Sequence, residues 1–375
     1  MKNIFFYANV CTFDYTLGIT RKVFSQINAF SELGYNVTYS GYKKNGVAIF
    51  KTNGEVLCEK HYPTSNEKIC HVIRRNMLMN LCLEYLKGSK ERIDIFYARY
   101  HFFDRHYIKL LKSAKEKNAK VIVEAHSSPK FEKSLSIMTP VYINDSIWNR
   151  YGKRYIDVVA AMCNDEYLWG IKTIQFANAI DINTVKLHQP NIIRHHQKEI
   201  HLIAVAFEGR VHGFDRLING LYQYKKNDGE WDFIINLVGT QLNSTVKLIH
   251  QLKLEDSCLC HAPMMGEELD TMFDGSEIGI GCLANHRIGS YFGSAIKTKE
   301  YLAKGIPFIY GWREEILDDG YPYAKRVELN EEPINMQVII DLYESTRNIP
   351  DLQNQIRKRL RPEDSWVGQM KKVIN

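Results

Sequence analysis

Short apolar runs alternate along the chain with segments whose apolar residues recur at helical spacing. In the first half, the runs at residues 3–10, 37–39, 93–97 and 121–124 predict buried strands. Helices are predicted between them over residues 20–34, 67–86 and 105–117, and Gly34 is placed to end the first of these. Such alternation with short connections is typical of a parallel sheet covered on both faces.

The same alternation returns in the second half. Strands are predicted at residues 202–206, 233–238, 278–280 and 307–310, and helices at 216–225, 245–252 and 297–304. The polar stretch 187–200 has no periodicity and is interpreted as a linker. We therefore predict an α/β protein with two domains in tandem, over residues 1–190 and 191–362, followed by a C-terminal helix within 363–375.

Composition agrees with this division. The chain has 375 residues, of which 45% are hydrophobic and 25% charged, as in soluble globular proteins of two domains. Its eight cysteines form no CxxC pair, which favours reduced thiols over a disulfide framework or a zinc site. The N-terminal segment lacks the features of a signal peptide, and no apolar run reaches the roughly 18 residues that span a bilayer. These features predict a cytoplasmic protein.

Positive charge is concentrated in the first half. Residues 1–190 carry 27 Lys and Arg against 17 Asp and Glu, and the remainder carries 22 against 26. This asymmetry indicates an anionic partner for the first half, such as an anionic lipid surface or a lipid diphosphate, although solubility alone would also explain it. The basic residues are dispersed and form no recognition motif, so a nucleic-acid partner is the least favoured alternative.

The segment 294–309, SAIKTKEYLAKGIPFI, carries the most specific candidate chemistry. It predicts a polar loop, a short helix that Gly305 ends, and an apolar strand. Unpaired N–H groups at a helix N-terminus suit a phosphate. Lys297 would add a cation there, and Glu300 could accept hydrogen bonds from sugar hydroxyls. The alternative is an ordinary Lys–Glu pair on a surface helix.

Further candidates follow the predicted strands, where ligands of open α/β sheets bind. Gly18 opens a helix and is followed by Thr20 and Arg21, so it suits either a phosphate or sugar contact or a plain turn. His126 could hydrogen-bond an acceptor hydroxyl or be a satisfied polar residue. Arg210 could bind a diphosphate through its guanidinium or lie in water.

Six strings occur in an order that resembles family-4 glycosyltransferases of the GT-B fold, especially those of bacterial surface-polysaccharide assembly. They are GITRKV, EAHSSP, IQFANAID, HGFDRLINGL, IGIGCLANHR and AIKTKEYLAKGIPFI. The resemblance covers nearly the whole chain, including the closing DSW helix. It implies two Rossmann-like domains facing across a cleft, with the C-terminal helix crossing back to the first domain.

The resemblance also implies a retaining transfer of a sugar from a UDP- or GDP-linked donor to a hydroxyl of a glycan or lipid-linked glycan. No metal or other cofactor is implied, because cations and N–H donors stabilise the leaving diphosphate. Peripheral contact with an anionic membrane is expected.

Site residues are assigned on the same basis. Those expected to be catalytic are His126, Arg210 and Lys297. Those expected on the acceptor side are Thr20, Arg21, Glu124 and Ser127. Those expected to bind the donor are Gly18, Gly209, His212, Gly239, His286, Arg287, Gly293, Ser294, Ala295, Ile296, Thr298 and Glu300.

The sequence departs from the family pattern at three places. Phe292 stands where the first of two paired acids is usual, and His212 stands where a lysine is usual, with Phe207 near the position of its partner arginine. Ala179 replaces a usual glycine. We hypothesise that Arg210, Lys297, His286 and Arg287 restore the missing positive charge. The departures keep two alternatives open, a nucleotide-sugar epimerase or hydrolase of the same fold and a catalytically silent nucleotide- or glycan-binding partner.

Overall fold

A computed structural model describes residues 1–15, 17–126, 139–193 and 195–375. The chain divides into two compact units. Unit 1 consists of Met1–Ala177 together with Trp366–Asn375, and unit 2 consists of Asn178–Ser365.

Unit 1 is built on one sheet, in which nine strands are found among the described residues, in the order β4-β3-β2-β1-β5-β6-β7-β9-β8. The strands are β1 (Lys2–Tyr7), β2 (Tyr35–Lys43), β3 (Gly46–Lys51), β4 (Val56–His61), β5 (Ile95–Arg99), β6 (Lys120–Ala125), β7 (Val158–Ala161), β8 (Tyr167–Leu168) and β9 (Ile171–Gln175). Pairing is parallel from β2 through β1, β5, β6 and β7 to β9. The outer strands β3, β4 and β8 pair antiparallel.

Helices cover this sheet. They are α1 (Gly18–Glu32), α2 (Glu67–Gly88), α3 (Arg105–Glu116), α4 (Thr139–Gly152) and the C-terminal helix (Trp366–Ile374), which packs against α1. The predicted helices end within a few residues of the observed ones, since their apolar faces are buried in a continuous core. The β3–β4 hairpin was not predicted, although Asn53 and Gly54 between its strands are a common hairpin signal.

Unit 2 has a smaller sheet in which every pair is parallel, in the order β12-β11-β10-β13-β15-β17. The strands, including the separate pair β14–β16, are β10 (Glu199–Phe207), β11 (Asp232–Thr240), β12 (Cys258–His261), β13 (Ile278–Ile280), β14 (Phe292–Gly293), β15 (Phe308–Tyr310), β16 (Arg313–Glu314) and β17 (Ala324–Arg326). The helices are α5 (Phe214–Lys226), α6 (Asn243–Leu252), α7 (Gly266–Asp274), α8 (Ile296–Lys304), α9 (Gln337–Thr346) and α10 (Leu352–Arg357). The predicted α/β class with two Rossmann-like domains is confirmed.

The boundary between the units lies earlier than the sequence suggested. Residues 178–190, which the prediction placed in the first domain, belong to unit 2. Part of the proposed linker is also packed there, because the N–H of His188 donates to the carbonyl of Lys304 at 2.8 Å and that of Asn191 to the carbonyl of Asp274 at 2.7 Å. Polarity alone did not reveal that this stretch is held by backbone hydrogen bonds.

Across the part of the chain that the structure describes, no helix has the length and hydropathy needed to cross a bilayer.

Candidate functional site

The N-terminus of α8 is the centre of the candidate site in unit 2. The helix begins at Ile296 after Ala295, and Gly305 ends it with φ of +76°. A Cβ at Gly305 would lie 2.3 Å from the carbonyl oxygen of Gln353, so both conformation and space require glycine there. The first N–H groups of the helix, at Ile296 and Lys297, have no carbonyl partner within the helix. This end can therefore receive an anion.

A buried carboxylate, Glu314, holds the preceding loop against the helix. It accepts hydrogen bonds from the N–H of Ala295 at 3.1 Å, the hydroxyl of Thr298 at 2.6 Å and the indole N–H of Trp312 at 2.6 Å. Burial, at 2% exposure, raises the pKa of Glu314 to about 7, although the bonds from Thr298 and Trp312 oppose the rise. The predicted donor residues Ala295 and Thr298 thus have an internal partner.

The rest of the loop is also fixed from within. The ammonium of Lys299, which is fully buried, donates to the hydroxyl of Ser294 at 2.7 Å and pairs with Glu315. The carbonyl of Ser294 accepts from the amide of Asn178 at 2.6 Å. At Gly293, a Cβ would lie 2.4 Å from the ring of Trp312. These residues, which were predicted to bind the nucleotide-sugar, therefore have a role in shaping the loop. Any contact that they make with a nucleotide-sugar would come from the backbone.

Lys297 differs from its neighbours because its ammonium has no hydrogen-bond partner in the part of the chain that the structure describes. The nitrogen has no exposed surface and makes no hydrogen bond within the described residues, and it lies 5.9 Å from the centre of the Phe214 ring. Burial lowers the pKa of Lys297, while the nearby Cys282 and Glu300 act in the opposite direction. A buried cation at a helix N-terminus is an arrangement that an anion would complete.

His212 lies in the electrostatic neighbourhood of Lys297. Burial, and then the charge of Lys297, lowers the pKa of His212 to about 3, so the imidazole is neutral at physiological pH. Its Nδ1 lies 2.9 Å from the backbone nitrogen of Gly209 and 3.1 Å from the carbonyl oxygen of the same residue, so it accepts from the N–H in one tautomer and donates to the carbonyl in the other. The structure thus brings together Gly209, His212 and Lys297, and Glu300 follows one turn along α8. His212 is thus a neutral side chain where the resemblance described above implies a cation.

Arg210 is exposed, and its backbone carbonyl accepts from Arg287 at 3.2 Å. Arg287 itself forms bidentate ion pairs with Asp215 and Glu331, and His286 lies 2.7 Å from Glu331. The hypothesis that His286 and Arg287 restore free positive charge is therefore not supported, because two carboxylates already balance them.

Gly239 has a structural reason to be glycine. Its φ is +125°, and a Cβ there would lie 2.0 Å from the carbonyl oxygen of Ala206 on the adjacent strand β10. Close approach of the two strands explains this residue without a ligand.

In unit 1, the predicted residues at the start of α1 separate into two kinds. Gly18 is exposed, and a Cβ there would meet no atom of the described residues within 4 Å, so their packing does not demand glycine. Thr20 is buried, and its hydroxyl donates to the carbonyl of Cys11 at 2.9 Å, so it anchors the helix. Arg21 is exposed. Of these residues, Gly18 presents exposed backbone to a ligand.

Glu124 is the centre of a buried charge cluster in unit 1. It is fully buried and accepts from Gln26 at 3.0 Å and Tyr97 at 2.8 Å, and its other oxygen lies 3.2 Å from the ammonium of Lys22. Burial raises the pKa of Glu124, but the positive charges of Lys22 and Arg99 outweigh it and hold the pKa at about 2. Glu124 therefore has a structural partner rather than a free side chain for an acceptor.

His126 follows β6 and is exposed. Partial desolvation, and next the charge of Arg99, lower its pKa, so it is neutral above mildly acidic pH. Ser127, predicted on the acceptor side, lies outside the described residues.

Sequence reasoning missed Arg99, Trp312 and Glu314. A charged residue at the end of the apolar strand IFYAR was an available signal for Arg99. For Trp312 and Glu314, which act through contacts with the start of α8, no local pattern was available. Within the described ranges, no three His, Cys, Asp or Glu side chains gather as metal ligands would.

No protein-family model and no curated protein sequence matches the chain. Solved structures do match over almost its whole length, and they define the fold as GT-B, the two-Rossmann fold of many glycosyltransferases. Identities near 10% mean that the likeness shows the fold alone.

Among these structures, trehalose-6-phosphate synthase OtsA has a TM-score of 0.62 at 9% identity, covering 99% of this chain and 97% of that one. TarM has a TM-score of 0.61 at 11% identity, covering 99% of this chain and 98% of that one. A mutant of the S. aureus TarM was solved with UDP and α-GlcNAc-glycerol. WaaG, a glycosyltransferase involved in lipopolysaccharide biosynthesis, has a TM-score of 0.57 at 11% identity, covering 98% of each chain. A putative UDP-N-acetylglucosamine 2-epimerase from Listeria monocytogenes shares the fold, with a TM-score of 0.53 at 8% identity, covering 99% of this chain and 94% of that one.

Proposed function

We propose that this protein is a retaining, metal-independent glycosyltransferase that moves a sugar from a UDP- or GDP-linked donor to a hydroxyl of a lipid-linked glycan in bacterial surface-polysaccharide synthesis. The observation that carries the proposal is the buried ammonium of Lys297, which has no hydrogen-bond partner among the described residues at the N-terminus of α8 and lies close to neutral His212. Glycosyltransferases with the same fold, one of them solved with UDP, support it.

In this proposal the donor binds unit 2. Its diphosphate accepts hydrogen bonds from the N–H groups at the start of α8 and from Lys297, which balances the negative charge that grows as the bond to the sugar breaks. The Nε2–H of His212 donates to a phosphate or sugar oxygen. Glu300, one turn further on, accepts from the ribose hydroxyls. Arg210 is exposed and can add a second cation to the diphosphate.

The acceptor binds unit 1 in this proposal. Exposed His126, which is neutral at physiological pH, accepts a hydrogen bond from the attacking hydroxyl or a donor sugar. Gly18 leaves backbone open to the ligand, and Arg21 lies beside it. The hydroxyl attacks on the face from which the diphosphate leaves, and the diphosphate takes the proton directly or through water. The sugar keeps its anomeric configuration.

A thermal-shift screen against UDP-, GDP- and dTDP-sugars tests donor binding first. A matching donor raises the melting temperature by mass action. Lys297→Met should then weaken binding of that donor by about 10- to 100-fold, since a hydrogen bond to a charged group contributes about 1.5–3 kcal/mol. Lys226→Met is the matched control, because Lys226 is an exposed cation of the same unit. If the two variants bound the nucleotide-sugar with equal affinity, the assignment of Lys297 to the donor site would be wrong.

Turnover separates the alternatives. Incubation with donor and no acceptor should leave the sugar intact, whereas the epimerase or hydrolase reading, supported by the Listeria neighbour, gives an isomer or free sugar. Nucleotide binding without turnover on any acceptor would identify a silent partner. Activity unchanged by EDTA is expected, because the proposed site uses Lys297 and N–H groups in the metal's place.

We also propose that the protein acts in the cytoplasm, at the inner face of the cell membrane, through its basic first half. Sedimentation with vesicles containing anionic phospholipid, but not with neutral vesicles, is the expected result, and it should weaken at high salt. Equal sedimentation with both vesicle types would contradict this location.

A further inference from the structure

Arg99 ends β5 as a buried cation whose donors are not satisfied. Only 2% of the residue is exposed, yet its Nε and Nη1 have no hydrogen-bond partner among the described residues. The nearest carboxylate oxygen found for Nε is Oε1 of Glu124, its register partner on β6, at 3.7 Å, which is too long for a hydrogen bond. A buried guanidinium in this state is destabilising to the free protein.

Glu124 cannot fully balance the charge of Arg99, because it also pairs with Lys22. The ammonium of Lys22 is the closer cation, at 3.2 Å against 3.7 Å. Gln26 and Tyr97 donate to the other carboxylate oxygen. The cluster therefore contains two cations and one carboxylate, and it carries an excess positive charge in a low-dielectric environment.

The position of the cluster is that of a ligand site. Arg99 and Glu124 lie at the carboxyl ends of neighbouring parallel strands, the edge at which open α/β sheets bind ligands. His126, two residues after Glu124, is exposed and interacts electrostatically with Arg99. Solvent therefore reaches the cluster's neighbourhood at His126, and an anion can approach from that direction.

We propose that Arg99 is the anchor of an anion site in unit 1, which takes a phosphate or carboxylate group carried by the acceptor. The planar guanidinium suits both groups, because each offers two oxygens to its N–H donors. The evidence for the site itself is the geometry of unit 1. Only the identification of the ligand as the acceptor rests on the proposed function, so the two can fail separately.

The test is carried out on the full chain in a Lys297→Met background, so that anion binding at the candidate donor site is weakened. Nitrogen-15 spectra of arginine Nε–H groups follow titration with glycerol 1-phosphate and with glucuronate, and glycerol and glucose serve as uncharged blanks. The Arg99 signal is assigned by its loss in Arg99→Met. Arg92→Gln is the matched control, since Arg92 is a cation of the same unit whose side chain is 84% exposed.

We expect the Arg99 signal to shift saturably with at least one anion and with neither blank. A preference for glycerol 1-phosphate indicates a phosphate on the acceptor, and a preference for glucuronate indicates a uronic acid. Affinity measured by thermal shift should fall at least about tenfold in Arg99→Met, remain unchanged in Arg92→Gln and be partly kept in Arg99→Lys.

Stability provides an independent readout. If Arg99 serves a ligand, Arg99→Met should melt within about 2 °C of its parent or higher without anion, because an unsatisfied buried cation is removed. A marked loss of melting temperature in both Arg99→Met and Arg99→Lys, with no saturable shift of the Arg99 signal, would show a structural role and overturn the proposal. Equal weakening by Arg92→Gln would do so too. Nucleotide binding by the protein with an unmodified Lys297 reports separately on unit 2.

Discussion

Glu314→Gln tests how the start of α8 is held, and its effect depends on pH. The carboxyl of Glu314 is 2% exposed, and burial raises its pKa from 4.5 to about 7. A carboxyl whose pKa is higher in the folded state binds its proton more tightly when folded. Stability is therefore greatest below pH 4.5, is lost as pH rises from 4.5 to 7, and changes no further above that.

The magnitude follows from the size of the shift. A rise of about 2.5 pKa units corresponds to about 3 kcal/mol lost across this range. Glutamine does not titrate, and its carbonyl oxygen can keep the bonds from Thr298 and Trp312. We expect Glu314→Gln to resemble the wild type at pH 4.5 and to exceed its stability by up to about 3 kcal/mol at pH 8. For a unit of this size that difference is about 6–12 °C in melting temperature.

The measurement is the difference in melting temperature between wild type and Glu314→Gln at a series of pH values. Taking the difference matters because neutral, half-buried His212 has the opposite dependence on pH. Its pKa is lowered to about 3, so its contribution is lost as pH falls below 6.5, and it is present in both proteins. Carbon-13 spectra of the glutamate carboxyls give the Glu314 titration directly. A difference that is constant from pH 4.5 to 8, with Glu314 titrating below pH 5, would refute the reasoning.

Three further substitutions separate packing from function. Gly239→Ala should destabilise unit 2 by several kcal/mol in urea unfolding, because its Cβ would lie 2.0 Å from the carbonyl of Ala206; a loss below about 1 kcal/mol would contradict this. Gly18→Ala should leave the melting temperature unchanged, because no atom of the described residues lies within 4 Å of the new methyl group. It should lower transferase activity, because the methyl group would stand where the ligand is proposed to approach the backbone; unchanged activity would exclude close approach of a ligand. Lys22→Met should cost about 3–5 kcal/mol of stability and raise the pKa of Glu124, because it leaves that buried carboxylate without its nearest cation; carbon-13 titration and urea unfolding check both effects.

Much of the fold could be predicted because its signals are local. Apolar runs and helical spacing identified β1, β2, β5, β6, β10, β11, β13 and β15 and the helices α1, α2, α3, α5, α6 and α8, whereas α4, α7, α9, α10 and several short strands were not predicted. Gly34 and Gly305 follow helices at positive φ, which glycine adopts without strain. The hairpin β3–β4 could have been included from its Asn–Gly pair, whereas the unit boundary depends on hydrogen bonds between distant segments.

The candidate site was only partly predictable. Lys297, His212 and Glu300 were selected from their places after strands and at a helix start, and the structure places the first two close enough to interact. Neither the missing partner of Lys297 nor the neutral state of His212 follows from the sequence, because both depend on which atoms surround them. His286 and Arg287 were selected for their charge, which their carboxylate partners balance.

The sequence by itself thus determined the α/β class, the order of elements and the strand ends at which chemistry was to be sought, because periodicity and glycine conformations act over a few residues. Only the tertiary structure decided which charges remain unpaired. Arg287 meets Asp215 from 72 positions away, whereas buried Arg99 shares the one carboxylate of Glu124 with the closer ammonium of Lys22. Pairing and burial are properties of distant segments brought together, and they determine whether a side chain stabilises the fold or is available to a ligand.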